Sequence, residues 1–174
     1  MSPNKAEKKA REVIAQLGQV APPIDVEAVA TSLGVRVERA DLGDDVSGVL
    51  VRRSGQAVIG VNWAHHPNRQ RFTIAHELGH FLLHEAGTYI DKGTYARFRD
   101  EQSGSGTDWE EVEANAFAAA LLMPVSLVRE EARRRPFDPA DDAALSALAA
   151  AFAVSGQAMS IRLANLGLFG QRSS

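Results

Sequence analysis

Three of the chain's five histidines fall within thirteen residues, FTIAHELGHFLLH at 72–84, and a glutamate follows the first of them. The stretch is otherwise apolar, so these titratable rings sit where a core would be expected. On a helix His76 and His80 lie one turn apart and point the same way, which lets two imidazoles converge on one ion. Glu77 lies next round the helix, placed to reach a water on that ion without ligating it. This is the H-E-x-x-H arrangement, whose chemistry is metal-assisted peptide hydrolysis with the glutamate as proton acceptor. The plainer alternative, two hydrogen-bonded core histidines, leaves the register of Glu77 without a reason.

Two histidines do not complete a site. The chain has no cysteine, so a metal must rest on histidine and carboxylate, and zinc in such sites takes two histidines and a glutamate. The segment DWEEVEANAFAAALLM, 108–123, offers Asp108, Glu110, Glu111 and Glu113. Glu113 is the best placed: Phe117 lies one turn on along its face, and the alanines after it permit close helix approach. Glu110 is the runner-up, and Glu111 is expected to point elsewhere, into solvent. His84, one further turn along the first helix, suits either a hydrogen bond to a carboxylate near the site or a cap on the helix end. His65 and His66 precede Pro67 in an exposed loop, from which one could donate to an oxyanion. Arg69 and Arg71 read as a solvated or ion-paired face.

The elements that position these residues follow from local pattern. Residues 5–17 form an amphipathic helix, and Asp25 caps a short helix that stops at Gly34. VRVER is a strand. SGVLVRRSGQAVIGVN is a hairpin turning at Ser54-Gly55-Gln56, equally suited to scaffolding or to pairing a substrate strand at a sheet edge. The metal helix spans 68–85 and is apolar nearly all round, hence central. Residues 86–107 are rich in glycine, serine and threonine and read as a long loop, suited to a lid or binding segment. Thr107 and Glu110 make a capping box for the next helix, which stops at Pro124. Further helices follow at 125–135, from Asp138-Pro139, and from Ser155 to Gly167. The fold class is α+β with a small, mostly antiparallel sheet.

Together, RFTIAHELGHFLLH and EVEANAFAAALLMP resemble the ImmA/IrrE family of bacterial zinc metallopeptidases, over about residues 45–124. The resemblance implies a zincin-like metallopeptidase core at 1–124, zinc as cofactor, His76 and His80 as ligands and Glu77 as the catalytic residue. The family's third ligand, the glutamate before Ala-Asn, falls on Glu113. The resemblance also implies a protein substrate, a helix-turn-helix transcriptional repressor cleaved to release stress-response or mobile-element genes.

Residues 125–174 are helical, and LSALAAAFAVSGQAMSIRLANLGLF resembles a helix-turn-helix with its turn at 153–155. The second helix offers Ser155, Gln157, Ser160, Arg162 and Asn165, with Arg162 its only cation. From 136 to 174, three aspartates against two arginines give a net charge of minus one. Phosphate attraction dominates DNA affinity, so direct DNA binding is disfavoured and the unit reads as a packing or protein-recognition module. The formal net charge of −3 over 174 residues agrees. The arginines at 129, 133, 134 and 135 are the one basic patch and read as a solvated face. The charged start MSPNKAEKKAREV lacks the apolar core of a secretory signal, and no run reaches membrane-spanning length, so a cytoplasmic protein is expected. Two other functions compete: a transcription regulator with a structural or sensory zinc site, and a toxin–antitoxin-type binding protein.

Overall fold

A computed structural model describes residues 3–18, 20–84, 89–91, 107–134 and 141–168. In chain order the elements are α1 (Pro3–Gln16), α2 (Val26–Ser32), β1 (Val35–Ala40), β2 (Gly48–Arg53), β3 (Gln56–Asn62), α3 (Pro67–Leu83), β4 (Tyr89–Asp91), α4 (Thr107–Leu122), α5 (Val125–Arg134), α6 (Asp142–Phe152) and α7 (Gly156–Asn165). The α+β class is as expected. The sheet runs β1-β3-β2-β4, with β1 parallel to β3 and both of the other pairings antiparallel.

The β2–β3 hairpin turns on Ser54 and Gly55, both at positive φ (50° and 77°). That mirror-image turn matches the twist of the flanking strands, and glycine adopts it without strain. Period-2 alternation sends Leu50, Ala57, Ile59 and Val61 to the buried face, against α3. On α3 every residue from Thr73 to His80 is buried, which is why the helix reads as apolar all round. His66 caps it, its Nδ1 accepting from the Asn68 N–H at 3.1 Å, and Pro67 supplies a first residue that needs no donor. Arg69 is exposed, as expected of a solvated face, whereas Arg71 is half-buried. Arg69 donates to Ser47 Oγ and Arg71 to the Ile24 carbonyl, both at 2.8 Å, so they tie the helix start to the hairpin and to the segment before α2.

The segment 86–107 is not wholly loop: Tyr89–Asp91 adds a fourth strand, pairing with Gly48–Leu50 of β2. Its other residues, like the Asp138-Pro139 start, lie outside those described, and so does the capping side chain of Thr107. The described α6 begins at Asp142, with Asp141 accepting from Ala143 N. Because β3 is internal and β2 is paired over Gly48–Leu50, neither hairpin strand offers a free edge at that end among the described residues.

One buried cluster runs from the sheet and α3 through α4 to Val128, Leu148, Phe152, Met159 and Leu163. Helices α6 and α7 meet at 97° through Ala153, whose φ of 51° makes the turn, and Ser155 caps α7. Arg162 does not face outward as a DNA-reading cation would. It is buried, with its Nε donating to the Met123 carbonyl at 2.9 Å and its Nη atoms gripping Glu7 of α1 at 2.9 and 3.0 Å. This fork joins α7, the end of α4 and α1, and leaves Gln157, Ile161, Ala164 and Asn165 as exposed, uncharged positions on α7. Arg134 pairs with Glu130 and Glu131 on the exposed face of α5, as expected of a solvated helix surface.

Candidate metal centre

Everything at the centre depends on how closely α4 crosses α3. A Cβ added to Gly79 would lie 2.9 Å from Ala114 Cα and 3.1 Å from Ala114 O. Those are backbone atoms and cannot swing aside, so glycine between the two histidine turns sets the crossing distance. Gly79→Ala is expected to destabilise the fold by about 1–3 kcal/mol. Thermal unfolding should show this as a fall in Tm of roughly 2–4 °C for each kcal/mol.

At this crossing His76 Nε2 and His80 Nε2 come within 3.1 Å of each other. One carboxylate completes the group, with Glu111 Oε2 3.1 Å from His76 Nε2 and Glu111 Oε1 3.1 Å from His80 Nε2. The three residues offer ligand atoms within 4.8 Å of one another, the histidines buried and the Glu111 side chain only 12% exposed. Outer partners fix the rings. His76 Nδ1 lies 3.0 Å from Asn115 Oδ1; with Nδ1–H donating to the amide oxygen, the Nε2 lone pair is directed at the shared point. So many electron-rich atoms crowded on one buried point repel one another unless a proton or a cation lies between them. Two imidazoles and a carboxylate are the donor set zinc takes in sites with an open position, so the residues fit that ion.

The electrostatics agree. Burial works against charge on Glu111, but hydrogen bonding and attraction from the His76 and His80 rings outweigh it, holding the carboxyl far below the ordinary range. Burial lowers the pKa of His80, with the His76 and His84 rings adding to the effect and Glu111 opposing it. A standing carboxylate and a neutral imidazole are the forms that ligate.

The acid differs from the one expected. Glu113 is buried but stands apart from the pair, with its Oε2 3.2 Å from His84 Nε2. The cause is helical phase. With about 100° per residue, Glu111 lies roughly 60° round α4 from the crossing residue Ala114, on the same side as Asn115. Glu113 lies about 100° away on the other side, and sharing a face with Phe117 carried it toward the core instead. Glu110, the runner-up, is not in the group either.

Glu77 is fully buried. It faces the start of β2, where a Cβ added to Gly48 would lie 3.4 Å from Glu77 Oε1, an ordinary contact, but 2.3 Å from Thr73 Cγ2; glycine there lets β2 pass close to Thr73. His66 is committed to its cap, and His65 is half-buried rather than exposed. Sequence reasoning assigned no role to Asn115 or to Arg52. The latter donates from Nη2 to the carbonyls of His80, Phe81 and His84 at 3.0, 2.7 and 2.9 Å, holding the end of α3 in place with a cation where the helix dipole favours one. Asn115 carried a signal, as a lone amide in an alanine-rich helix. Arg52 carried none, since only the fold brings it to α3.

A helix bearing H-E-x-x-H, backed by a small sheet and crossed by an acid-bearing helix, defines a zincin-like metallopeptidase core. The model of the peptidase M78 family, the IrrE N-terminal-like domain, matches residues 30–164, and the chain belongs to this ImmA/IrrE family. It is 37% identical over 78 residues to the radiation response metalloprotease IrrE of Deinococcus radiodurans, a match covering 44% of this chain and 22% of that protein. With the protein of the same name from Deinococcus deserti it shares 40% identity over 72 residues, 41% of this chain and 24% of the other. The match thus spans less than a quarter of each relative. In fold the chain is similar to a solved structure described as a Mycobacterium tuberculosis transcriptional regulator, with a TM-score of 0.62 and 18% identity over 97% of this chain and 48% of that one. Among the described residues no single helix is long and apolar enough to cross a membrane.

Proposed function

We propose that this chain is a zinc-dependent endopeptidase, with His76, His80 and Glu111 as metal ligands and Glu77 as the proton-transferring residue. The observation that carries the reading is the convergence of both Nε2 atoms and the Glu111 carboxylate at 3.1 Å, one residue from a buried glutamate. Zinc bound there would supply Lewis acidity, bringing the pKa of a water to about 7 and polarising the scissile carbonyl. The chain's own residues do the rest. Glu111 provides the negative charge of the ligand set, and Asn115 holds the His76 ring. Glu77 accepts the proton of the attacking water and returns it to the leaving amine, so the peptide bond breaks with no net proton consumed.

We assign the substrate by family: a cytoplasmic helix-turn-helix repressor whose cleavage releases stress-response or mobile-element genes. The buried Arg162 supports a protein-recognition role for α6 and α7 over DNA binding, because the cation that a phosphate would seek is engaged by Glu7. Incubating the purified chain with repressors encoded beside it, with and without chelator, tests both levels. The expected result is cleavage of one repressor at a single site, abolished by chelator and restored by zinc. Cleavage that survives complete metal removal contradicts the mechanism, and zinc-dependent cleavage of unrelated proteins alone contradicts the substrate assignment.

A further inference from the structure

Beyond the three residues at the centre, α3 and α4 bury a second histidine–glutamate pair that the proposed reaction does not use. His84 and Glu113 are 7% and 3% exposed. His84 Nδ1 lies 3.0 Å from His80 Nδ1, and His84 Nε2 lies 3.2 Å from Glu113 Oε2. The other carboxylate oxygen, Glu113 Oε1, is buried with no hydrogen-bond partner. A fold does not bury a carboxylate this way for packing, since desolvation costs more than a neutral side chain of the same shape would.

Proton accounting gives the pair a task. His80 can ligate only through a bare Nε2, so its proton must lie on Nδ1, 3.0 Å from His84 Nδ1. That N–H donates to His84 Nδ1, and His84 presents its own Nε2–H to Glu113 Oε2 at 3.2 Å. The opposite setting, His84 Nδ1–H donating to His80, would place a proton on His80 Nε2 and turn a ligand into a donor. We infer that Glu113 and His84 are positioning residues that select the metal-binding tautomer of His80 through a carboxylate–imidazole–imidazole chain. The two histidines of the pair are thus held differently: His76 by an amide, His80 by an imidazole that Glu113 backs. The inference deepens the proposed metal site and rests on it.

The test uses the full chain labelled with 15N-histidine, followed by long-range 1H–15N correlation without and with zinc, alongside zinc affinity by chelator competition. The wild type is expected to hold His80 with its proton on Nδ1 and His84 with its proton on Nε2. Glu113→Ala should mix both tautomers and weaken zinc binding about 10–100-fold, the usual effect of losing an outer partner of a ligating histidine. His84→Ala should weaken it as much, and the double variant no further, because Glu113 acts only through His84. Wild-type His80 protonated on Nε2 overturns the inference whether or not any variant folds. So does unchanged zinc affinity in a folded Glu113→Ala chain. A wild type that fails to bind zinc overturns the proposed function instead, and leaves the tautomers to decide this inference separately.

Discussion

Replacing Glu77 with glutamine is expected to leave zinc bound and to slow peptide cleavage by roughly 10²–10⁴-fold. The substitution removes a proton acceptor and changes almost nothing else. Glu77 is fully buried, and its carboxylate packs within van der Waals reach of the Gly48 position, so an isosteric amide fills the same space and opens no cavity. It is not one of the residues that share the metal point, so the ligand set stays whole. Zinc stoichiometry, melting temperature and cleavage rate, measured on one preparation, separate the possibilities. The first two should match the wild type while the third collapses. Undiminished cleavage would remove Glu77 from the chemistry, and loss of zinc would make it a structural contributor to the centre.

Glu111→Ala should have the other large effect, and it separates two acids that lie only two residues apart. Glu111 touches both imidazoles at 3.1 Å, whereas Glu113 touches neither and meets His84 instead. Removing a ligand costs more than removing a supporting partner. Zinc affinity should therefore fall by more than about 100-fold in Glu111→Ala and by no more than that in Glu113→Ala. The Glu111 variant should fold nonetheless, because α4 is held by Phe117, Leu121 and Leu122 in the core and by the Gly79–Ala114 crossing. Chelator competition on both variants gives the order. The reverse order, with Glu113→Ala the more damaging, would return the third ligand to the position that the family resemblance suggested.

How legible the centre was in the sequence depended on distance along the chain. His76 and His80 share a helix, so their convergence follows from the 3.6-residue period alone. The hairpin was equally local, since Ser54-Gly55 between two β-branched runs admits few other turns. The third acid was not local. Choosing among residues 110, 111 and 113 requires the rotation of α4 about its own axis, which the contact between Gly79 and Ala114 sets. Asn115 was the available clue: an amide in contact with His76 implies that its neighbour one turn earlier, Glu111, faces the same way. The burial of Arg162 was illegible for a related reason, since its partner Glu7 lies 155 residues earlier in the chain. The strand β4 escaped notice because three residues carry too little pattern, and it forms only where β2 presents an edge.

Zinc-edge X-ray absorption on the zinc-loaded chain tests the central claim most directly. Expected are one zinc per chain and scattering from two imidazoles and one carboxylate, with no fourth side-chain donor and the carboxylate contribution lost in Glu111→Ala. A centre enclosed by four side chains, or a chain that holds no zinc after full loading, would contradict the account.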